Sequence, residues 1–219
     1  MPHYRIETSL GGRVAGIDEA GRGPLAGPVV AACVVIEPKR LPRKLLRAID
    51  DSKQLSREAR EEIYESLMVF AGAGVWFGIA EADVDEIDRI NILQATFAAM
   101  CRAVTRAAET LGGLPDVAII DGNRAPKALP CRAHTVIGGD AICLSVAAAS
   151  ILAKVTRDRA MVALATDFPG YGWETNVGYG TRAHLDGLAR LGPTIHHRRS
   201  FAPVAQLTLA LTAKEGTQT

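Results

Sequence analysis

The stretch Val14-Ala15-Gly16-Ile17-Asp18-Glu19-Ala20-Gly21-Arg22-Gly23-Pro24-Leu25-Ala26-Gly27-Pro28 runs directly into Val29-Val30-Ala31-Ala32-Cys33-Val34-Val35-Ile36, and its reading decides the fold class. Residues 14–17 and 29–36 are apolar and rich in valine and isoleucine, the composition of buried strands. Only a glycine-rich break separates them, with no helix between. Strands joined in that way belong to a mixed sheet and not to a purely parallel one.

Outward from this pair the chain alternates. Residues 40–55 are polar and punctuated by proline, and Ser56 reads as the N-cap of a helix through residue 70, with Ile63, Leu67 and Phe70 on one stripe. Gly72 and Gly74 end it, and residues 75–80 read as a strand. The acidic group Asp83, Asp85, Glu86 and Asp88 suits a turn or helix start and is assigned no chemistry. The spacing of Leu93, Phe97, Met100, Val104 and Leu111 predicts a long helix over 91–111. Residues 117–120 form another apolar strand that runs into Asp121-Gly122, and 135–137 make a further candidate strand before Gly138-Gly139-Asp140. A helix over 145–165 opens with Ser145, Ala147, Ala148, Ala149, Ser150 and Ala153, small residues that let a neighbouring backbone come close. Pro169-Gly170 breaks it, and the glycine-, histidine- and arginine-rich segment 171–203, with one helix near 181–190, reads as a subdomain. The expected class is α/β: a mixed sheet flanked by helices, with a carboxyl-terminal helical part.

The 219 residues suit one large domain, and 48% hydrophobic with 22% charged residues excludes a disordered chain. Lysine plus arginine (25) nearly equals aspartate plus glutamate (24), so no overall field steers the protein to nucleic acid or anionic lipid, and any polyanion is met by local charge. Cys33, Cys101, Cys131 and Cys143 show neither Cys-x-x-Cys nor zinc spacing and read as free thiols of a reducing compartment. The amino terminus lacks an apolar signal core, and the run 29–36 is far too short to span a bilayer, so a cytoplasmic protein without membrane attachment is expected.

The chemistry is read from acids placed where apolar strands end. Asp18-Glu19 follows the first strand, Asp121 follows the strand 117–120, and Asp140 follows a glycine pair. Clustered carboxylates repel, so such a site normally holds hard cations, and magnesium or manganese prefers oxygen ligands. Consecutive strand residues face opposite ways, so Asp18 and Glu19 share a site only where the strand ends or bulges. The same acids also suit helix or turn caps. The glycine loop matches neither phosphate-loop nor dinucleotide spacing; it is either a tight structural turn or a place where backbone approaches a sugar or phosphate. Asp51-Ser52-Lys53 is a solvated turn or a phosphate contact. His184, Arg182, Arg190 and His196-His197-Arg198-Arg199 make the carboxyl-terminal part locally basic, a nucleic-acid face in preference to a zinc site, with Tyr179 between glycines as a stacking ring.

Gly16 to Val29 closely resembles the opening motif of bacterial ribonuclease HII, the type 2 ribonuclease H. Asp51-Ser52-Lys53-Gln54-Leu55-Ser56, Asn91-Ile92-Leu93-Gln94-Ala95-Thr96, Asp121-Gly122, Gly139-Asp140, the run from Ala147 to Asp158, Gly178-Tyr179-Gly180-Thr181 and His197-Arg198-Arg199-Ser200-Phe201 are similar to the family's other blocks, in order. The resemblance implies a ribonuclease H-like fold in a single domain over 1–219, with a catalytic core over about 12–168 and a substrate-contacting helical part over about 169–212. It implies four acidic catalytic and metal ligands, Asp18, Glu19, Asp121 and Asp140, holding Mn2+ or Mg2+, with two ions present alongside substrate. Gly21, Arg22 and Gly23 are implied to read the ribose 2′-hydroxyl at an RNA-to-DNA junction, and Tyr179 to pack on the following deoxyribose. Lys53, Asn91, Ser145 and Lys154 match positions near substrate phosphates or the active site. Gly138 departs from the lysine that many relatives carry before Gly-Asp, a departure that bears on a phosphate contact and much less on catalysis. The implied partners are RNA–DNA hybrids and duplex DNA containing ribonucleotides, acted on by a monomer in primer removal and ribonucleotide excision. Two other readings carry different expectations: a metal nuclease of the same broad fold that cuts all-DNA substrates, or a silent hybrid-binding module lacking one of the acids.

Overall fold

The computed structural model describes residues 1–207. In chain order the elements are α1 (Arg5–Leu10), β1 (Val14–Ala20), β2 (Val29–Ile36), α2 (Arg43–Ala48), α3 (Arg57–Val69), β3 (Val75–Ala82), α4 (Val84–Leu111), β4 (Val117–Asp121), β5 (Arg132–Val136), α5 (Gly139–Ile142), α6 (Leu144–Asp167), α7 (Trp173–Asn176) and α8 (Arg182–Leu191), with one 3-10 turn at Pro38–Arg40. Among the described residues the strands form a five-stranded sheet in the order β3-β2-β1-β4-β5. β1 and β2 are antiparallel, whereas β1–β4 and β4–β5 are parallel, so the sheet is mixed.

The longer helices lie where periodicity puts them. Ser56 caps α3 by accepting from the Ala59 N–H at 3.2 Å, and Thr181 caps α8. α4 is helical on both sides of Asn91, whose backbone (φ 66, ψ 161) interrupts it. The Asn91 side-chain oxygen accepts from the N–H of Leu93 and Gln94 at 3.1 and 3.2 Å, so the acidic segment and the long helix are two helices joined at a side-chain cap. The short α1, α2, α5 and α7 have too few turns to show a pattern in sequence and are held by tertiary contacts.

Two compact units share the chain. The first comprises Met1–Ala20, Val30–Glu81 and Thr96–Thr156; the second joins Gly21–Val29, Ala82–Ala95 and, among the described residues, 157–207. The first unit packs β2 and the start of α6 into one core, with Val30, Ala32, Val34, Ile36, Ala147, Ala148, Ile151 and Leu152 all inaccessible or nearly so. Its closest approach is at Gly16. A Cβ there would lie 2.2 Å from the Ser145 carbonyl carbon and 2.3 Å from the Val146 nitrogen, so the first turn of α6 rests directly on the backbone of β1. That turn is capped from far away: the buried Glu7 carboxylate accepts from the Ser145 N–H at 2.9 Å and the Ser145 hydroxyl at 2.8 Å. In the second unit Leu25, Ala26, Met161, Tyr171, Trp173, Leu188 and Val204 form a separate core. All four cysteines are free thiols. Among the described residues no helix is long and apolar enough to cross a membrane.

Candidate active site

The β1–β4 register pairs Ile17 with Ile120. One residue further on, both strands present an acid, Asp18 on β1 and Asp121 at the tip of β4, on the same face. Asp140 reaches them from the first turn of α5, immediately after β5, and the Gly139 N–H donates to Asp121 Oδ1 at 2.7 Å. Each of the three offers a carboxylate oxygen within 4.8 Å of the other two. Asp18 and Asp140 are 6% and 5% exposed, and Asp121 is half-buried.

Burial, then the charges of Glu19, Asp121 and Asp140, push the Asp18 carboxyl well above the usual carboxylate range. Burial and the Asp140 charge raise Asp121 too, against hydrogen bonds from the Gly139 and Gly122 backbone and the charge of Lys53. The Lys53 ammonium donates to Asp140 Oδ2 at 2.8 Å, and this hydrogen bond raises its own pKa. Its side chain is 74% exposed, so the cation is held loosely and stays open to solvent. Three carboxylates this close, two of them buried, repel when all are ionised, and oxygen donors alone suit a hard divalent cation. The residues present fit such an ion.

Glu19 stands apart from the group of three. The β1–β2 register runs through Asp18↔Ala32, Glu19↔Ala31 and Ala20↔Val30 without a bulge, so strand alternation separates the two neighbouring acids. Glu19 still acts at close range, since its charge is the first among those that raise Asp18.

The sequence profile of the family described as Ribonuclease HII matches residues 15–204. The chain belongs to the ribonuclease HII family. It is therefore a ribonuclease of the metal-dependent hydrolase class, acting on nucleic acid. Ribonuclease HII of Paramagnetospirillum magneticum is 59% identical over 209 residues, 95% of this chain and 100% of that protein. Ribonuclease HII of Rhodospirillum rubrum is 56% identical over 216 residues, covering 99% and 95%. Among solved structures, the ribonuclease H2 of Pyrococcus horikoshii OT3 superposes with a TM-score of 0.69 at 26% identity, covering 89% of this chain and 96% of that one.

The other positions suggested by the ribonuclease HII motifs are distributed unevenly. In the second unit Arg22 and Gly23 are exposed, Gly21 is buried, and Tyr179 is 44% exposed, with its ring Cε1 3.6 Å from where a Gly23 Cβ would stand. Asn91 is exposed but its oxygen is engaged in capping, and Lys154 is half-buried. Gly138, in the left-handed region (φ 69, ψ 34), begins α5 just ahead of Asp140. Ser145 is fully buried and its hydroxyl donates to the Glu7 carboxylate, which ties the start of α6 to α1.

The basic carboxyl-terminal segment divides in two: Arg182, Arg190 and Arg199 are exposed and His196 is half-buried, whereas the remaining three basic residues turn inward. His184, His197 and Arg198 are fully buried, because their polar atoms meet partners inside the second unit. His184 Nδ1 lies 2.9 Å from the Tyr179 carbonyl and so carries the proton, leaving Nε2 to accept from Trp173 Nε1–H at 3.0 Å. His197 Nδ1 accepts from the Thr194 N–H at 3.0 Å, which puts its proton on Nε2, 3.1 Å from His184 Nε2. Both rings are neutral in this arrangement. Burial lowers His184, and burial with the neighbouring histidines pushes His197 down to about 3.

Because the unfolded ring titrates near its ordinary value of about 6.5, the contribution of His197 to stability is complete above that pH and lost as pH falls toward about 3, by roughly 1.4 kcal/mol per pH unit, and that of His184 changes in the same direction. Asp18, raised in the fold, acts in the opposite sense, so the comparison is with His197→Gln. Urea midpoints at pH 7.5 and pH 5 are expected to separate further in the parent than in the variant. Equal separations would show that the pair is not held neutral.

Proposed function

We propose that this ribonuclease hydrolyses the RNA strand of RNA–DNA hybrids and incises 5′ to single ribonucleotides embedded in duplex DNA, leaving 5′-phosphate and 3′-hydroxyl ends. Its cellular tasks are then ribonucleotide removal from DNA and RNA primer removal, in the cytoplasm. The observation that carries the reading is the convergence of Asp18, Asp121 and Asp140 within 4.8 Å at neighbouring strand ends.

Asp18, Asp121 and Asp140 would hold the divalent ions, Mg2+ or Mn2+, with Glu19 beside Asp18 as the fourth acid. When bound, a pair of such ions supplies Lewis acidity for in-line attack of water on a phosphodiester. The chain's own residues do the rest. Gly139 orients Asp121 through its N–H, and Lys53 offsets the charge of Asp140 while remaining accessible to a phosphate. Gly21, Arg22 and Gly23 read the 2′-hydroxyl, the one group by which a ribose differs from a deoxyribose, and Tyr179 offers an exposed ring to the adjoining sugar. Asn91 and Lys154 contribute to holding the backbone of the duplex.

A cleavage panel tests this reading: duplexes with one embedded ribonucleotide, a continuous RNA–DNA hybrid, and all-DNA, each with magnesium, manganese or chelator. Cutting of the first two only, and none with chelator, is expected. Cutting of all-DNA substrate would mark a different nuclease of the same fold, and binding without cutting would mark a silent hybrid-binding module.

A further inference from the structure

We propose that Arg198, with Arg157 beside it, is a positioning residue for ribonucleotide recognition, its guanidinium drawing the carbonyls of the Gly21–Pro28 loop inward so that the Arg22 and Gly23 N–H groups are presented on the opposite side. This rests on the reading of that turn as the 2′-hydroxyl contact.

Both guanidiniums lie in the second unit, 0% and 1% exposed, and both are spent on main-chain carbonyls. Arg198 Nη2 donates to Gly21 O at 2.6 Å, to Gly27 O at 2.8 Å and to Pro28 O at 3.2 Å. Its Nη1 donates to Arg22 O at 3.1 Å and its Nε to Gly27 O at 2.9 Å. Arg157 donates from Nε to Pro28 O, from Nη1 to Val177 O and from Nη2 to Ala26 O, at 3.0, 3.0 and 3.1 Å. One side of the loop is thus fastened carbonyl by carbonyl to two planar forks.

A trans peptide fixes the rest. The C=O of one residue and the N–H of the next point in opposite directions. With Gly21 O and Arg22 O turned to Arg198, the Arg22 and Gly23 N–H groups must face away from it, in succession, the arrangement that makes a concave receptor for an oxygen. Donation from a cation to each carbonyl also polarises its peptide and strengthens the N–H on the far side. The glycine at 21 follows from the same packing: its φ is +97 and a Cβ would fall 2.0 Å from Arg157 Nε.

Burying two cations side by side is expensive if they serve stability alone. Burial and the Arg157 charge push Arg198 down to about 9, with Asp88 and Tyr179 acting the other way; burial lowers Arg157, against Tyr179 and Asp158. Both stay charged at neutral pH. Lysine would keep the charge but not the five-donor fork, which makes Arg198→Lys the informative change.

The test is made in full-length protein carrying Asp121→Asn to block cleavage, with magnesium, by measuring affinity for a duplex with one embedded ribonucleotide and for the all-DNA duplex of the same sequence. The parent is expected to prefer the ribonucleotide. Arg198→Lys is expected to lose about tenfold or more of that preference, while its affinity for all-DNA duplex changes little and circular dichroism reports a folded chain. A folded Arg198→Lys protein that keeps the preference overturns the proposal. A parent without any preference instead refutes the underlying reading of the turn. Should the variant not fold, the parent decides: the Arg198 guanidinium N–H resonances shift with the ribonucleotide duplex and not with all-DNA. Identical spectra with the two duplexes overturn the inference.

Discussion

Asp121→Asn is expected to abolish cleavage, lowering kcat by about a thousandfold or more, while the protein stays folded and still binds a ribonucleotide-containing duplex. Asp121 Oδ1 accepts from the Gly139 N–H at 2.7 Å, and an asparagine oxygen can keep that bond, so β4 and α5 remain tied. What disappears is a negative charge beside Asp18 and Asp140. Without metal this removes repulsion, so the melting temperature holds steady or rises. With manganese the parent is expected to gain stability by linkage and the variant to gain much less. Rates on a single-ribonucleotide duplex, with melting curves with and without manganese, check both halves. A variant that cuts at the parent's rate would remove Asp121 from the site.

The largest expected loss of stability comes from a methyl group placed far from any charge. Gly16→Ala would set a Cβ 2.2 Å from the Ser145 carbonyl carbon, 2.3 Å from the Val146 nitrogen and 2.6 Å from the Ser145 oxygen. All three are backbone atoms of the capped first turn of α6, so no side chain can swing aside. Either β1 or α6 has to move by about an ångström, through a core whose residues Ala15, Ile17, Val146 and Ala147 are wholly inaccessible. The expected cost is about 3 kcal/mol or more, above the common range for overpacking because the obstacle is main chain. That is a large share of the stability of an ordinary domain. A urea midpoint unchanged by Gly16→Ala would show that helix and strand are not in contact. Asp18 lies two positions further along the strand, so the folded fraction should also cut more slowly.

The carboxylate cluster was legible because each acid ends a recognisable apolar strand or follows a glycine pair, and because residues 14–17 and 117–120 are adjacent parallel strands in register. Strand alternation, equally visible in sequence, is what leaves Glu19 outside the group of three. Within the basic carboxyl-terminal segment, the exposure of Arg182, Arg190 and Arg199 and the burial of His184, His197 and Arg198 are not told apart by residue type. Residue type reports charge, whereas burial depends on which carbonyls a distant loop turns inward, and nothing in the order of residues 196–199 announces Gly21, Arg22 or Gly27 as partners. The burial of Ser145 is equally invisible, its partner Glu7 lying in a short helix with no periodic signal. The pairing of Lys53 with Asp140 likewise depends on an 87-residue separation that no local pattern spans.

The cap on α6 also governs when this protein can fold as it is made. Glu7 waits for a partner 138 positions downstream, and Arg13, at the edge of β1, meets Asp116 across 103 positions. Until those segments leave the ribosome, the first strand has only its antiparallel neighbour, and its other edge stays unpaired. Closing such long loops comes late and all at once. A nascent chain arrested before residue 145 should therefore be protease-sensitive and in need of chaperone cover, and release of the remaining residues should convert it cooperatively to the resistant form.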